Sequence, residues 1–169
     1  MRFVSYFATV LVAFILTPAL GADTAVDRAK RDEIVSVPKG DPDMEAAFRQ
    51  ARETLKGFLE LARAPRSSIT SMAVKVAVHD QSETEFFWIS PFKEKDGGFV
   101  GTIDNTPRSV PNVKLGQTIT FQTNDIVDWL YRENGKMFGN YTAYALLKQV
   151  PPSERKAFAR EYGLNCDNI

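Results

Sequence analysis

The feature that most constrains the fold is a change of hydrophobic period near residue 70. Upstream of this point, between Asp41 and Arg63, apolar residues recur at three- and four-residue steps, which places them on one face of a helix of about five turns. Asp41 suits the N-cap, Pro42 suits the first helical position, and Pro65 ends the helix. The apolar stripe contains Met44, Ala47, Phe48, Ala51, Leu55, Phe58, Leu59 and Ala62.

After residue 70 the period becomes two, which predicts strands. In Met72 to His79 the valines point one way, while Lys75 and its alternating neighbours point the other way. Phe99 to Asp104 and Gln117 to Gln122 are two further predicted strands. Asp125 to Tyr131 fits either a strand or a helix, and we favour an extended segment that enters an Asn134–Gly135 turn.

One predicted strand, Phe86 to Ile89, is apolar on both of its faces. Such a strand is either central and covered on both sides, or covered on one side with aromatic rings exposed to a partner on the other.

Two short helices are predicted near the C-terminus. The first covers Tyr141 to Gln149, and the second is capped by Ser153, runs through Arg160 and is followed by Gly163. The predicted fold class is therefore α+β: a long N-terminal helix packed on a curved, mainly antiparallel sheet of four to five strands, with two short C-terminal helices.

Residues 1–22 resemble a cleavable secretory signal, with Arg2 ahead of the hydrophobic run Phe3 to Leu16. As a helix this run spans about 21 Å, which is short of the roughly 30 Å of a bilayer core. We therefore expect a periplasmic or secreted protein with no stable membrane span after processing. Residues 23–40 read as a polar leader in which only Ile34 to Val37 suits a short edge strand, and residues 41–165 read as one domain.

The charge balance and the rare residues exclude several classes of protein. Lys and Arg number 21, Asp and Glu also number 21, and removal of residues 1–22 leaves a net charge of −1, so we expect no nucleic-acid partner. One histidine, His79, and one cysteine, Cys166, cannot form a His/Cys zinc site. No glycine-rich phosphate loop is present, and we expect neither a metal nor another cofactor.

A set of spaced residues between positions 43 and 147 resembles the YegJ family of bacterial envelope proteins, a domain of unknown function. The resemblance rests on six helical residues and on a series of later positions. The helical residues are Ala47, Ala51, Arg52, Thr54, Leu55 and Phe58, and the later positions are Val74-Lys75, Glu85, Trp88, Gly101, Asn105-Thr-Pro107, Gly116, Ile126, Asp128-Trp129, Tyr131, Gly135 and Gly139-Asn-Tyr-Thr142. It implies an exported bacterial protein and carries over no catalytic residue.

The strongest candidate for chemistry is Asp128, which stands beside Trp129 and near Tyr131. A carboxyl group among aromatic rings is desolvated, and its raised pKa suits acid or base work. The competing interpretation is a structural carboxylate that accepts hydrogen bonds from loop amides. A hydrolase of the two-carboxylate type would pair Asp128 with a second acid; the choices are Asp125, Asp104 and Glu85.

Aromatic residues point to recognition instead, because interfaces favour large rings with few rotatable bonds. The candidate functional surface comprises Trp88, Asn105, Asp128, Trp129, Tyr131, Tyr141 and Thr142. We therefore expect an exported binding or accessory module for an envelope protein or small ligand, of the inhibitor or immunity type. The alternative is a small envelope hydrolase that uses Asp128. A partly exposed tryptophan would favour binding, and a concave pocket with Asp128 and a second acid would favour the hydrolase.

Overall fold

The structure is a computed structural model, and it describes residues 40–80 and 83–164. The predicted signal of residues 1–22, the possible strand Ile34 to Val37 and Cys166 lie outside the described residues.

Helix α1 runs from Pro42 to Arg63. Asp41 caps it, since its Oδ1 accepts the backbone N–H of Met44 at 2.9 Å, and Pro42 occupies the first turn as predicted. Its buried residues all belong to the predicted apolar stripe, namely Ala47, Ala51, Leu55, Phe58 and Leu59. The other three members of the stripe, Met44, Phe48 and Ala62, are partly exposed.

Six strands form one sheet in the order β4-β3-β2-β1-β5-β6, and every neighbouring pair is antiparallel. The strands are β1 Ile69–Asp80, β2 Glu83–Lys95, β3 Gly98–Ile103, β4 Thr118–Phe121, β5 Ile126–Glu133 and β6 Lys136–Gly139. The expected count of four to five was wrong because β6 was not predicted: its apolar residues, Met137 and Phe138, are adjacent and show no period of two.

The ambiguous segment before Tyr131 is extended, as favoured, and becomes β5 after a short 3-10 turn at Thr123–Asp125. The β5–β6 hairpin turns at Asn134 and Gly135, which have φ values of 50° and 76°. Both residues are therefore in the left-handed region that a tight hairpin turn requires.

Alternation along β1, β2 and β5 separates two sides of the sheet. Val74, Ile89 and Trp129 face one another in register, and all three belong to the core that includes Phe58 of α1. Strand β2 is interior to the sheet, yet Phe87 is buried while Phe86 is 37% exposed. Of the two interpretations of Phe86 to Ile89, the structure therefore agrees with the one that leaves aromatic rings accessible.

Helix α2 covers Tyr141–Gln149, as predicted, and helix α3 covers Pro152–Tyr162. Ser153 is not the cap, because α3 already begins at Pro152, whose fixed φ suits a first helical position. Gly163 ends α3 with a left-handed φ of 62°. A second buried cluster joins these helices to the sheet: Met137, Ala143, Leu147, Val150, Phe158, Ala159 and Leu164.

The fold class is therefore α+β, with a six-stranded antiparallel sheet and three helices among residues 40–80 and 83–164. None of the helices in this part of the chain is long and apolar enough to span a membrane.

Candidate functional site

Lys75 lies at the centre of a polar cluster that the sheet register assembles. It stands opposite Trp88 of β2 on one side and opposite Asp128 of β5 on the other. The register then shifts, because Val76 pairs with Ile126, so Val127 is an extra residue on β5. Such a bulge is typical of places where a strand redirects a side chain. We call Lys75, Trp88, Asp128 and Thr142 the Lys75 cluster.

Asp128 is fully buried and accepts four hydrogen bonds. Its Oδ1 accepts the backbone N–H of Trp129 at 2.8 Å and that of Tyr141 at 3.2 Å. Its Oδ2 accepts the backbone N–H of Thr142 at 2.8 Å and the Thr142 hydroxyl at 2.7 Å. A carboxylate has about four acceptor positions, so these donors occupy its capacity. This arrangement is that of a structural carboxylate.

The four contacts make Asp128 the cap of helix α2. The residue at the N-cap position, Asn140, has a left-handed φ of 57° and makes no side-chain cap bond. Asp128 reaches over from β5 and takes the first free amides of the helix, those of Tyr141 and Thr142. A negative charge at this end also suits the helix dipole. The carboxylate thereby ties α2 to the sheet.

Lys75 completes a chain of polar contacts. Its Nζ donates to the Thr142 hydroxyl oxygen at 2.6 Å, and that hydroxyl in turn donates to Asp128. The Lys75 Nζ also lies 4.6 Å from the centroid of the Trp88 ring, within the range of a cation–π contact. The cluster therefore fixes the ammonium between an aromatic face and a hydroxyl.

Burial and charge act in opposite directions on both ionisable groups. Burial raises the pKa of the Asp128 carboxyl, while Lys75 and the hydrogen bonds from Thr142 and Trp129 oppose this rise. Burial lowers the pKa of the Lys75 ammonium, and the charge of Asp128 opposes that fall. Each group thus offsets part of the desolvation of the other.

A second buried carboxylate, Glu85, holds the loop between β3 and β4. It is 2% exposed and accepts the backbone N–H groups of Arg108, Ser109 and Val110 at 2.9 to 3.1 Å. Glu85 pairs with Val78, so alternation places its side chain opposite to that of Trp88 and away from the Lys75 cluster. The register thus separates Glu85 from Asp128.

Asn105 has a related role at the start of the same loop. Its Oδ1 accepts the backbone N–H of Trp88 at 2.8 Å, and the Asp104 N–H donates to the Trp88 carbonyl at 2.9 Å. These bonds fix the backbone of Trp88, whose side chain remains partly exposed.

On the other side of β5, an aromatic stack passes from the core to the surface. The Trp129 ring lies 4.8 Å from Phe58 and 6.1 Å from Tyr131, and the Tyr131 ring lies 4.8 Å from Phe138. Trp129 is 7% exposed, and its Nε1 donates to the Ala51 carbonyl at 3.1 Å, so it belongs to the core. Phe138, at the outer end, is 40% exposed.

Phe138 lines a groove of about 430 Å³ between α1, β6 and α2, which we call the β6 groove. Its lining residues are Asp43, Ala46, Ala47, Gln50, Lys136, Met137, Phe138, Gly139, Tyr141, Tyr144, Ala145 and Lys148. A second groove of about 520 Å³ lies between the end of α1 and strands β1 and β2, and includes Arg63, Ser90, Pro91 and Phe92. Asp128 lines neither groove.

The predicted surface residues thus fall into two groups. One group gathers around Lys75 and contains Trp88, Asn105, Asp128 and Thr142; the other is the aromatic stack and contains Trp129, Tyr131 and Tyr141. The described residues contain no group of three or more His, Cys, Asp and Glu that could hold a metal ion.

Sequence reasoning missed Lys75 and the structural role of Glu85. Lys75 interrupts the apolar run Met72 to Val78, and Glu85 directly precedes the apolar run Phe86 to Ile89; a charge at such a position is the signal that could have identified them.

The family described as "Uncharacterized protein conserved in bacteria (DUF2314)" matches residues 41–166. The Escherichia coli K12 protein named "Uncharacterized protein YegJ" is 34% identical over 111 residues, which cover 66% of this chain and 71% of that protein. A "Putative ankyrin repeat protein NMB1133/NMB1171" of Neisseria meningitidis serogroup B is 29% identical over 141 residues, which cover 78% of this chain and 55% of that protein. No solved structure matches the chain significantly.

Proposed function

This chain belongs to the bacterial family described as DUF2314, and on that premise we propose that it is a binding or accessory module of the bacterial envelope. Membership confirms the predicted resemblance to YegJ, and it supplies no reaction. Support for a binding function therefore comes from the contacts on the two sides of β5.

The observation that carries the proposal is the exposure of Phe138 at the end of the aromatic stack. Its ring is 40% exposed in the β6 groove and is held from behind by Tyr131 at 4.8 Å. A rigid, accessible ring in a groove can bury area on a ligand with little loss of side-chain freedom. The partly exposed Trp88 beside Lys75 offers a second surface of the same kind.

The contacts of Asp128 support a binding role over a hydrolytic one. A general base needs a free acceptor within hydrogen-bond reach of the substrate proton, and the four acceptor positions of Asp128 are taken. A hydrolase that paired Asp128 with Glu85 would need both carboxyl groups on the same side, whereas Glu85 points away and is held by three amides.

The proposal includes export from the cytoplasm, which we infer from residues 1–22. Their charged start, apolar run and small residues at the end are typical of a cleavable signal. A periplasmic or secreted protein would meet envelope proteins and small ligands, and a role as an inhibitor or immunity-type protein is one form of such binding. Cell fractionation and the mass of the N-terminal peptide test this part, and retention in the cytoplasm with Met1 still attached would contradict it.

Affinity capture tests the binding function. Protein purified from cells that express the full-length chain is immobilised and exposed to an envelope extract, and the retained proteins are quantified by mass spectrometry. Phe138→Ala removes the exposed ring, and Leu115→Ala is the matched control because Leu115 is 57% exposed and lines neither groove. We expect some envelope components to be retained equally by the wild type and by the Leu115 control. The Phe138 variant should retain at least tenfold less of the same components.

The alternative function, a hydrolase, predicts a different result for the same purified protein. If the purified protein degrades an envelope polymer, and if a folded Asp128→Asn variant has lost that turnover, the proposal of a binding module is overturned. Equal retention by the wild type and by the Phe138→Ala, Trp88→Ala and Leu115→Ala variants in the capture experiment would also contradict it.

A further inference from the structure

We propose that the β6 groove binds an extended segment of a partner protein, which pairs with strand β6 and presents an acidic side chain next to an aromatic or branched apolar one. This inference rests on the proposed binding function and names the class of ligand for it. Three features of the groove carry it: a sheet edge, a cavity with aromatic walls and a surplus of positive charge.

The first feature is the sheet edge. Strand β6 is the last strand in the sheet order and pairs with β5 over Lys136 to Gly139. An edge strand offers backbone groups to an added strand, and extended peptides commonly bind in this way. The edge here contains no proline, and the groove runs beside it.

The second feature is the shape of the groove. Three alanines, Ala46, Ala47 and Ala145, leave space between α1 and α2, while rings of Phe138, Tyr141 and Tyr144 form much of the remaining wall. A volume of about 430 Å³ is near the lower end of known ligand sites, so it suits one or two side chains. Side chains on an extended peptide alternate, and every second one would enter the groove.

The third feature is the charge of the lining residues. The charged members are Asp43, Lys136 and Lys148, and Lys148 donates to Asp43 at 2.5 Å. This pair neutralises itself. Glu133, which stands opposite Lys136 in the β5–β6 ladder, is paired with Arg66, so the exposed Lys136 remains the surplus charge beside the edge strand. An acidic side chain on the ligand would complement it, and complementary charge mainly sets specificity and association rate.

Selection of peptides tests the inference. A phage library of random ten-residue peptides is selected on protein purified from cells that express the full-length chain. We expect enriched sequences that place Asp or Glu within two positions of an aromatic or branched apolar residue. A synthetic copy of the best peptide should bind Phe138→Ala and Lys136→Glu at least tenfold more weakly. Its affinity for Leu115→Ala and Lys114→Glu, which alter exposed residues outside the groove, should change less than twofold.

A backbone test separates strand addition from simple contact with the rings. In an added strand, the amides of every second peptide residue bond to the edge, while the intervening amides face away. N-methylation at successive positions should therefore weaken binding at alternate positions by tenfold or more and leave the others unchanged. A uniform response along the peptide would overturn the pairing with β6.

Two alternatives to a partner segment are a segment of this chain and a second copy of the protein. Each would give a distinct experimental result, and either result would overturn the inference. If Ile34 to Val37, which lie outside the described residues, occupied the groove, Val35→Asp would raise the affinity for the peptide. If a second copy occupied it, the protein would sediment as a dimer that Lys136→Glu dissociates. Failure to select any peptide, together with capture ligands that depend on Trp88 and not on Phe138, would reject this inference and leave the binding function standing.

Discussion

The two sides of strand β5 differ in how they use their side chains. On one side, Asp128 is fully buried and saturated by four donors from Trp129, Tyr141 and Thr142. On the other side, the rings of Trp129, Tyr131 and Phe138 stack from the core outward, and the last ring is 40% exposed. The polar side is closed, whereas the aromatic side opens into a groove.

This difference indicates which side holds α2 in place and which side is accessible to a ligand. A buried carboxylate with a full set of donors positions the elements that supply those donors, here the start of α2. The same helix supplies Tyr141, Tyr144 and Lys148 to the β6 groove. The closed side therefore supports the geometry of the open side, and the two respond differently to mutation.

The largest expected effect comes from the closed side. Asp128→Ala removes four hydrogen bonds and leaves Lys75 without its counter-charge, so we expect a loss of about 3 to 5 kcal/mol in the free energy of unfolding. Urea denaturation measures it. The double variant with Lys75→Met should recover part of the loss, because it removes the uncompensated, partly buried cation. A loss below about 1 kcal/mol would show that the cluster does not hold α2.

The second prediction concerns the junction of the two sides at Gly139. Its φ is +75°, and an added Cβ would lie 2.2 Å from the Trp129 carbonyl oxygen. We expect Gly139→Ala to lower the free energy of unfolding by about 3 kcal/mol, from left-handed strain and steric overlap together.

The matched control for this prediction is Gly135→Ala, since Gly135 has nearly the same φ, +76°, and nothing within 4 Å of an added Cβ. It should lose only about 1 to 2 kcal/mol, which is the contribution of the strained φ. Equal losses at the two glycines would show that packing against Trp129 is unimportant.

A smaller effect on stability is expected at the open side. Phe138→Ala removes one stacked ring pair and part of a half-exposed side chain, which corresponds to about 1 to 2 kcal/mol. Thermal denaturation measures this change in stability. The amount of ligand retained in the capture experiment should still fall at least tenfold, although the variant remains folded. A loss as large as that of Asp128→Ala would place Phe138 in the structural core and weaken the contrast between the two sides.

The smallest expected effect concerns the pH response at the far end of β5. Hydrogen bonds from Arg66 and Ser68 lower the pKa of Glu133 to about 2. Because the folded value lies below the ordinary value of 4.5, the stabilisation is complete above pH 4.5 and is lost as the pH falls toward 2. The stability difference between wild type and Glu133→Gln should therefore shrink over this range.

The Arg66→Met background provides the control for this titration. There, the pH-dependent part of the Glu133→Gln effect should be reduced, since the strongest partner of the carboxylate is absent. An unchanged pH profile would contradict the assignment of the shift to Arg66.

Helix α1 and strand β5 were predictable from the sequence, because capping residues, apolar stripes and turn residues act locally. Helix α1 has Asp41 as its cap and Pro42 in its first turn, and β5 is extended into a tight turn at Asn134 and Gly135. Strand β6 was missed because Met137 and Phe138 are adjacent and give no alternation over four residues. Its pairing with β5 comes from the hairpin turn.

The site was harder to predict, because its contacts join residues far apart in the chain. The aromatic neighbours of Asp128 suggest acid or base chemistry, and the alternative, a carboxylate that accepts hydrogen bonds from loop amides, follows only from the common use of buried carboxylates. Its use as the cap of α2 depends on the 13-residue separation between Asp128 and Tyr141, which no local pattern shows. The sequence predicts only that Lys75 lies on the polar side of a strand, since its contact with Thr142 joins residues 67 positions apart.

Photo-crosslinking in living cells tests the central claim most directly. Phe138 is replaced by p-benzoylphenylalanine in the full-length chain, and Leu115 is replaced in the same way as the control. The account predicts that irradiation yields discrete cross-linked partners from position 138 and none of them from position 115. The absence of cross-links from position 138, or the same products from both positions, would contradict a ligand site at the end of the aromatic stack.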